Sequence, residues 1–166
     1  MLRRHLLCLA GLGLLACSLP GFAATSVTAD HGWIRLLPGN LPAAGYVQLH
    51  NEGDQAAMLT SASSPRYGQV MLHLSSNRNG NASMQMVDQL AIHARSQLRL
   101  APGSFHLMLS QATAPAPKVG DKVMISLHFD GGQSLQVPFV VRPAYAEDDG
   151  SSAPAGSASS GTAPSP

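Results

Sequence analysis

From Ser26 to about Arg142 the chain is a succession of short alternating apolar runs, cut every few residues by Gly, Pro, Asn and Asp, and no stretch keeps a helical period. That rhythm admits an all-β domain and little else. Strands are expected at Val27–Leu36, Gly45–His50, Ala57–Ala62, Gln69–Leu74, Met84–Leu90, Gln97–Leu100, Phe105–Ser110, Lys122–Phe129 and Ser134–Val141. Turn signals fall between them, among them Pro38-Gly39-Asn40, Asn77 to Asn81, Pro102-Gly103 and Asp130-Gly131-Gly132. Strands at this spacing suggest a sandwich or Greek-key barrel. At 166 residues the chain suffices for one domain with a real core, not two.

The two ends differ from this middle. Arg3 and Arg4, an apolar run from Leu6 to Ala16 and the small-x-small site at Gly21-Phe22-Ala23 read as an export signal over 1–23, too short for a stable membrane anchor. Leu14-Leu15-Ala16-Cys17 offers a competing lipoprotein reading, with the mature chain anchored through Cys17. Cleavage at Ala23 leaves eight basic against nine acidic side chains, a net charge of −1, and no basic patch for nucleic acid. It also removes both cysteines, Cys8 and Cys17, so neither a disulfide nor a thiolate ligand is expected in the mature domain. The domain is assigned to 24–143. Over 144–166, Glu147, Asp148 and Asp149 lead into a run of Ser, Ala, Gly, Thr and Pro, which cannot bury enough apolar area to order itself, so a disordered tail is expected.

Strand parity carries the functional clue, because alternate side chains point to opposite faces. In Gln69–Leu74 the residues Val70, Leu72 and Leu74 share one face, and Met71 and His73 share the other. In Phe105–Ser110, Phe105, Leu107 and Leu109 oppose His106 and Met108. Met84 and Met86 share a face of a third strand. Imidazole and thioether are neutral ligands, and the thioether is soft. Together they suit copper(I) far better than zinc, magnesium or calcium. Each methionine taken singly is an ordinary core filler, and each histidine an ordinary surface residue. It is their recurrence opposite the core-forming face of three strands that points to a metal site.

The order His73, ten residues, Met84, twenty-one residues, then His106-x-Met108 resembles the signature of the periplasmic copper chaperones of the PCu(A)C type. Trp33-Ile34-Arg35, Ala44-Gly45-Tyr46, Leu49 with Asn51, Pro102-Gly103 and Gly120-Asp121 are similar as well, so the likeness spans about Val27 to Val141. The resemblance implies a single-domain, cupredoxin-like Greek-key β-sandwich in the periplasm. It implies copper(I) held by His73, Met84, His106 and Met108, with Met71 and Met86 beside them. It further implies a monomeric carrier, not an enzyme, that exchanges copper with a respiratory oxidase subunit or its assembly factors. Three departures stand out: Ser104 where a second Gly is frequent, Leu74 where an acidic residue is common, and a Met84-x-Met86 pair that leaves the central thioether open.

Other classes are less favoured. A blue-copper electron carrier needs a Cys thiolate, and a histidine-brace oxidase needs a histidine at the mature terminus, which neither Ala23 nor Cys17 processing exposes. A metal-free adhesive or assembly sandwich would bury Met84 and Met108 in its core. His31, His50, His93 and His128 read as surface or structural residues, and Trp33 as a core or edge anchor. No Ser/His/Asp set, carboxylate pair or phosphate loop suggests hydrolysis or group transfer.

Overall fold

A computed structural model describes residues 26–78 and 80–148 of the 166. The export signal, the Cys17 question and the tail beyond Asp148 lie outside them. Ten strands follow one another: β1 (Val27–Arg35), β2 (Ala43–Asn51), β3 (Ala57–Ser63), β4 (Tyr67–Arg78), β5 (Asn81–Met86), β6 (Leu90–Ile92), β7 (Ser96–Leu100), β8 (Phe105–Ala112), β9 (Lys122–Phe129) and β10 (Ser134–Arg142). They form one sheet in the order β5-β4-β8-β2-β1-β10-β9-β3-β6, with β7 also on β2. The β1–β10 pair is parallel and the other pairs are antiparallel. The sheet folds over until β3 lies against β4, which closes a sandwich. The fold class expected from the alternating runs is borne out.

The core is the inward set that parity marks: Ile34, Val47, Leu49, Leu72, Leu107, Leu109, Ile125, Leu127 and Phe139 are all buried in it. Gly45 sits where β2 crosses this layer. A Cβ there would come within 3.1 Å of Leu109 and 3.3 Å of Leu107, so the absence of a side chain lets the strands close.

Three differences from the expected elements have physical causes. The run expected as one strand at Met84–Leu90 is two, because β5 stays on β4 while Leu90–Ile92 crosses to pair with β3. The fourth strand continues through polar Ser75 to Arg78, since its hairpin partner β5 supplies ladder bonds that need no apolar side chains. In β1 the register slips between Asp30 and Trp33, a bulge with His31 at φ 50°. Past this bulge Trp33, at 2% exposure, pairs with Tyr46 and lies outside the main core cluster. There it forms a second buried layer, with the Arg35 guanidinium 5.3 Å from the Trp33 ring and 5.4 Å from that of Tyr46, and Arg142 5.3 Å from Trp33.

Asn51, at the end of β2, is a buried knot that pattern reading missed. Its amide donates to the carbonyls of Gln55, Ile92 and His93, and its oxygen accepts from the Gly53 N–H and the Ser26 hydroxyl. The single visible cue was an Asn directly before a turn.

The chain from Pro143 to Asp148 lies back on the sandwich. Arg35 donates to the Ala146 carbonyl at 3.0 Å, and Arg99 pairs with Asp148 at 2.8 Å.

Candidate metal site

The strands β7 and β8 run along the same edge of β2, interrupted by Ala101–Ser104. That interruption turns on Gly103 at φ 77°, a left-handed conformation that glycine adopts without strain. The Ser104 carbonyl is thereby aimed back at the sheet. It accepts the Ser75 N–H at 3.0 Å and lies 3.1 Å from Nδ1 of His106. A carbonyl can only accept, so Nδ1 of His106 carries the proton and Nε2 keeps its lone pair. Backbone geometry thus sets the tautomer, and Ser104 serves as well as a glycine would.

His106 stands directly across from His73 in the β4–β8 ladder, with ring centroids 5.9 Å apart and the planes nearly perpendicular at 73°. On its other side lies Tyr46, at 6.4 Å. Both histidines are largely covered, at 9% and 5% exposure. The Nδ1 of His73 is shut off from solvent and has no hydrogen-bond partner. Burial, and then the neighbouring His106, hold the His73 imidazole below its ordinary pKa of 6.5 and so favour the neutral ring. A buried imidazole nitrogen left unpaired costs about 1–3 kcal/mol, a cost that a bound cation would offset.

The methionines extend this rung in three directions. Met71 pairs with Met108 one step along the same face, Met86 pairs with His73 from β5, and Met84 pairs with Ser75 one step the other way. Met84 and Met108 flank the histidines on opposite sides of β4, displaced by four residues along the strands and by two strand spacings across them, so their backbones are roughly 16 Å apart. Both side chains must lean inward to share one ion. Met86 is level with His73 itself. Met84 and Met86 are 55% and 66% exposed, on the outermost strand, whereas Met71 and Met108 are half-buried. Met84 and Met108 are therefore not core filler. Among the described residues no three His, Cys, Asp or Glu side chains converge to hold a metal, and the side chains ranged beside this histidine pair on the same face are methionines.

The other histidines among the described residues lie away from this rung. His128 lies 2.8 Å from the Ser63 hydroxyl, and His31 and His50 both contact Asp30. His93 is exposed, and its carbonyl accepts from Asn51 and Ser96.

A sandwich of this topology is the fold of the cupredoxin-like domains called PCuAC. The fold aligns with the apo PmoF2 PCuAC domain at a TM-score of 0.61, over 75% of this chain and 96% of that one, at 21% identity. It also aligns with the copper(I) form of DR1885 from Deinococcus radiodurans at a TM-score of 0.55, with 33% identity over 76% of this chain and 81% of that one. In sequence, a relative from Leifsonia xyli subsp. xyli named "Putative lipoprotein Lxx21020" is 30% identical over 140 residues, covering 79% of this chain and 83% of its own. Residues 27–141 match the family described as "Putative lipoprotein LpqE-like", and the chain belongs to that family. The resemblance drawn from the His73 to Met108 spacing is borne out at the level of family and fold.

Proposed function

We propose that this protein binds one copper(I) ion through His73, Met84, His106 and Met108 and passes it to another protein, acting as a carrier and not as an enzyme. The observation that carries the reading is the His73–His106 pair: two covered imidazoles side by side, one of them held toward the neutral form with an orphaned nitrogen, with thioethers on the neighbouring ladder positions. Neutral nitrogen and soft sulfur suit a monovalent soft cation, and a thioether cannot be lost to disulfide formation in an oxidising compartment. The copper(I) form of DR1885, 33% identical, supports the same cargo.

The residues divide the work. The Ser104 carbonyl holds His106 with Nε2 available, His73 contributes from the facing strand, and Met108 approaches from the half-buried side. Met84, half exposed on the outermost strand, is a donor that an incoming partner can reach. Exposed thioethers make the ion exchangeable; a fully enclosed site would hold it. Export, with soluble release after Ala23 or lipid attachment at Cys17, fits a family described as lipoproteins. Delivery to the copper centre of a respiratory oxidase or to its assembly factors is the destination we infer.

Competition titration of the apo protein against a chromogenic copper(I) chelator tests the reading. One equivalent should bind the wild type, and the His106→Ala/Met108→Ala variant should lose it. Absence of stoichiometric binding, or an unchanged affinity in the variant, would overturn the assignment.

A further inference from the structure

The two ends of the sheet are protected differently. Strand β6 is only three residues long, and shortness blunts an edge. Strand β5 is six residues, Asn81 to Met86, all exposed, and it contains no charge and no proline. It therefore lacks the usual devices that keep an edge strand from pairing with another chain.

Its hydrogen-bonding phase follows from the ladder. The Val87 N–H donates to the Leu72 carbonyl, and the Ser75 N–H donates away from β5, to Ser104. With Leu74 opposite Gln85 and Ser76 opposite Ser83, the backbone groups of Ser83 and Gln85 point to β4. Those of Ala82, Met84 and Met86 point outward. The residues with unpaired backbone groups are thus the same ones whose side chains share the face of His73 and His106. Beside them, a groove of about 410 Å³ runs past Ser75, Ala82, Met84 and Gly103.

We propose that β5 is the docking strand for the protein that exchanges copper(I) with this chain, the partner adding an extended segment to the edge through the backbone of Ala82, Met84 and Met86. The proposal rests on the copper(I) reading above and names the partner's chemistry. The segment is uncharged, as β5 is, and carries thioether, thiolate or imidazole groups at alternate positions. Main-chain bonds supply affinity and alternate side chains supply specificity in this mode of recognition. An added strand in register extends the row from His106 and His73 through Met86 to the partner's own soft donor, at cross-strand distance. Copper(I) then moves along a row of ligands without release to water.

The test uses the isotopically labelled protein and a blocked synthetic hexapeptide that alternates threonine and methionine, with and without copper(I). Amide exchange at Ala82, Met84 and Met86 should slow by about tenfold or more with saturating peptide, while Ser83 and Gln85, already bonded to β4, change little. Ala82→Pro removes one outward donor but keeps both thioethers. It should weaken peptide binding by about fivefold, the worth of one hydrogen bond, and leave the chelator-measured copper(I) affinity unchanged. Ala82→Lys, a charge guard that leaves the backbone intact, should act in the same direction should the proline disturb the hairpin. Copper(I) binding without slowing at the three amides overturns the docking strand and spares the copper site. Slowing without copper(I) binding does the reverse. Concentration-dependent slowing with no peptide present would mean that β5 pairs with a second copy, which also overturns the proposal.

Discussion

Two groups of histidines, one on β1 and β2 and the other on β4 and β8, differ in what surrounds them. His31 and His50 flank Asp30 on the exposed end of β1 and β2, at 2.8 and 3.2 Å from its two carboxylate oxygens. Each has an anionic partner, with His31 at 62% side-chain exposure and His50 at 20%. His73 and His106 are covered, and the ladder positions next to them on the same face hold methionines. The first arrangement satisfies imidazole with hydrogen bonds. The second leaves a nitrogen of His73 unpaired and holds that ring toward the neutral form, the state in which imidazole binds metal. Residue type alone does not separate these groups; strand parity and burial do.

The sharpest break between them is in copper(I) affinity. Removing His106 and Met108 together should cost more than the roughly 100-fold typical of losing an outer hydrogen-bond partner of a ligand, whereas His31→Ala with His50→Ala should leave chelator competition unchanged. Within the site, Met84→Leu and Met86→Leu should separate the two exposed thioethers. The larger loss, about tenfold or more, is expected for Met84, and a larger loss for Met86 would shift the site onto the His73 rung.

Stability should move the opposite way to function. In His73→Phe the unpaired buried nitrogen is gone, so the apo protein should unfold at equal or higher denaturant, by up to about 1 kcal/mol, with copper(I) binding lost. His50→Phe gives up its Asp30 contact and should show no such gain.

The smallest effect is in acid. His73 has a lowered pKa in the folded chain, so the unfolded chain takes up its proton first as pH falls through about 6.5, and apo stability declines below that point. For Asp30, burial pushes the pKa up, but the hydrogen bond and charge of His31, and then those of His50, outweigh it and leave it below 3.8. Its contribution is present above that pH and is lost only as pH falls further. Denaturant midpoints followed from pH 8 to 3 should therefore show the His73 decline first, and His73→Phe should remove it.

Much of this was legible in sequence because the code of a sandwich is parity. Leu72 and Leu107 fell on one face and His73 and His106 on the other by counting alternate residues. Counting fails where the backbone departs from strict alternation or where polar groups carry the structure. The bulge at His31 re-aims Trp33 away from the main core, the strand through Ser75 to Arg78 has no apolar pattern, and Asn51 is buried by hydrogen bonds that no periodicity announces. The Met84 and Met86 question also lay beyond the sequence, since both share a face and only the ladder separates Ser75 from His73 as their neighbours.

X-ray absorption at the copper edge of the copper(I)-loaded protein tests the central claim most directly. Two nitrogen and two sulfur scatterers around a single copper are expected, with a sulfur lost in Met108→Leu. A copper shell made of nitrogen and oxygen alone, or one unchanged when Met108 is replaced, would contradict the account.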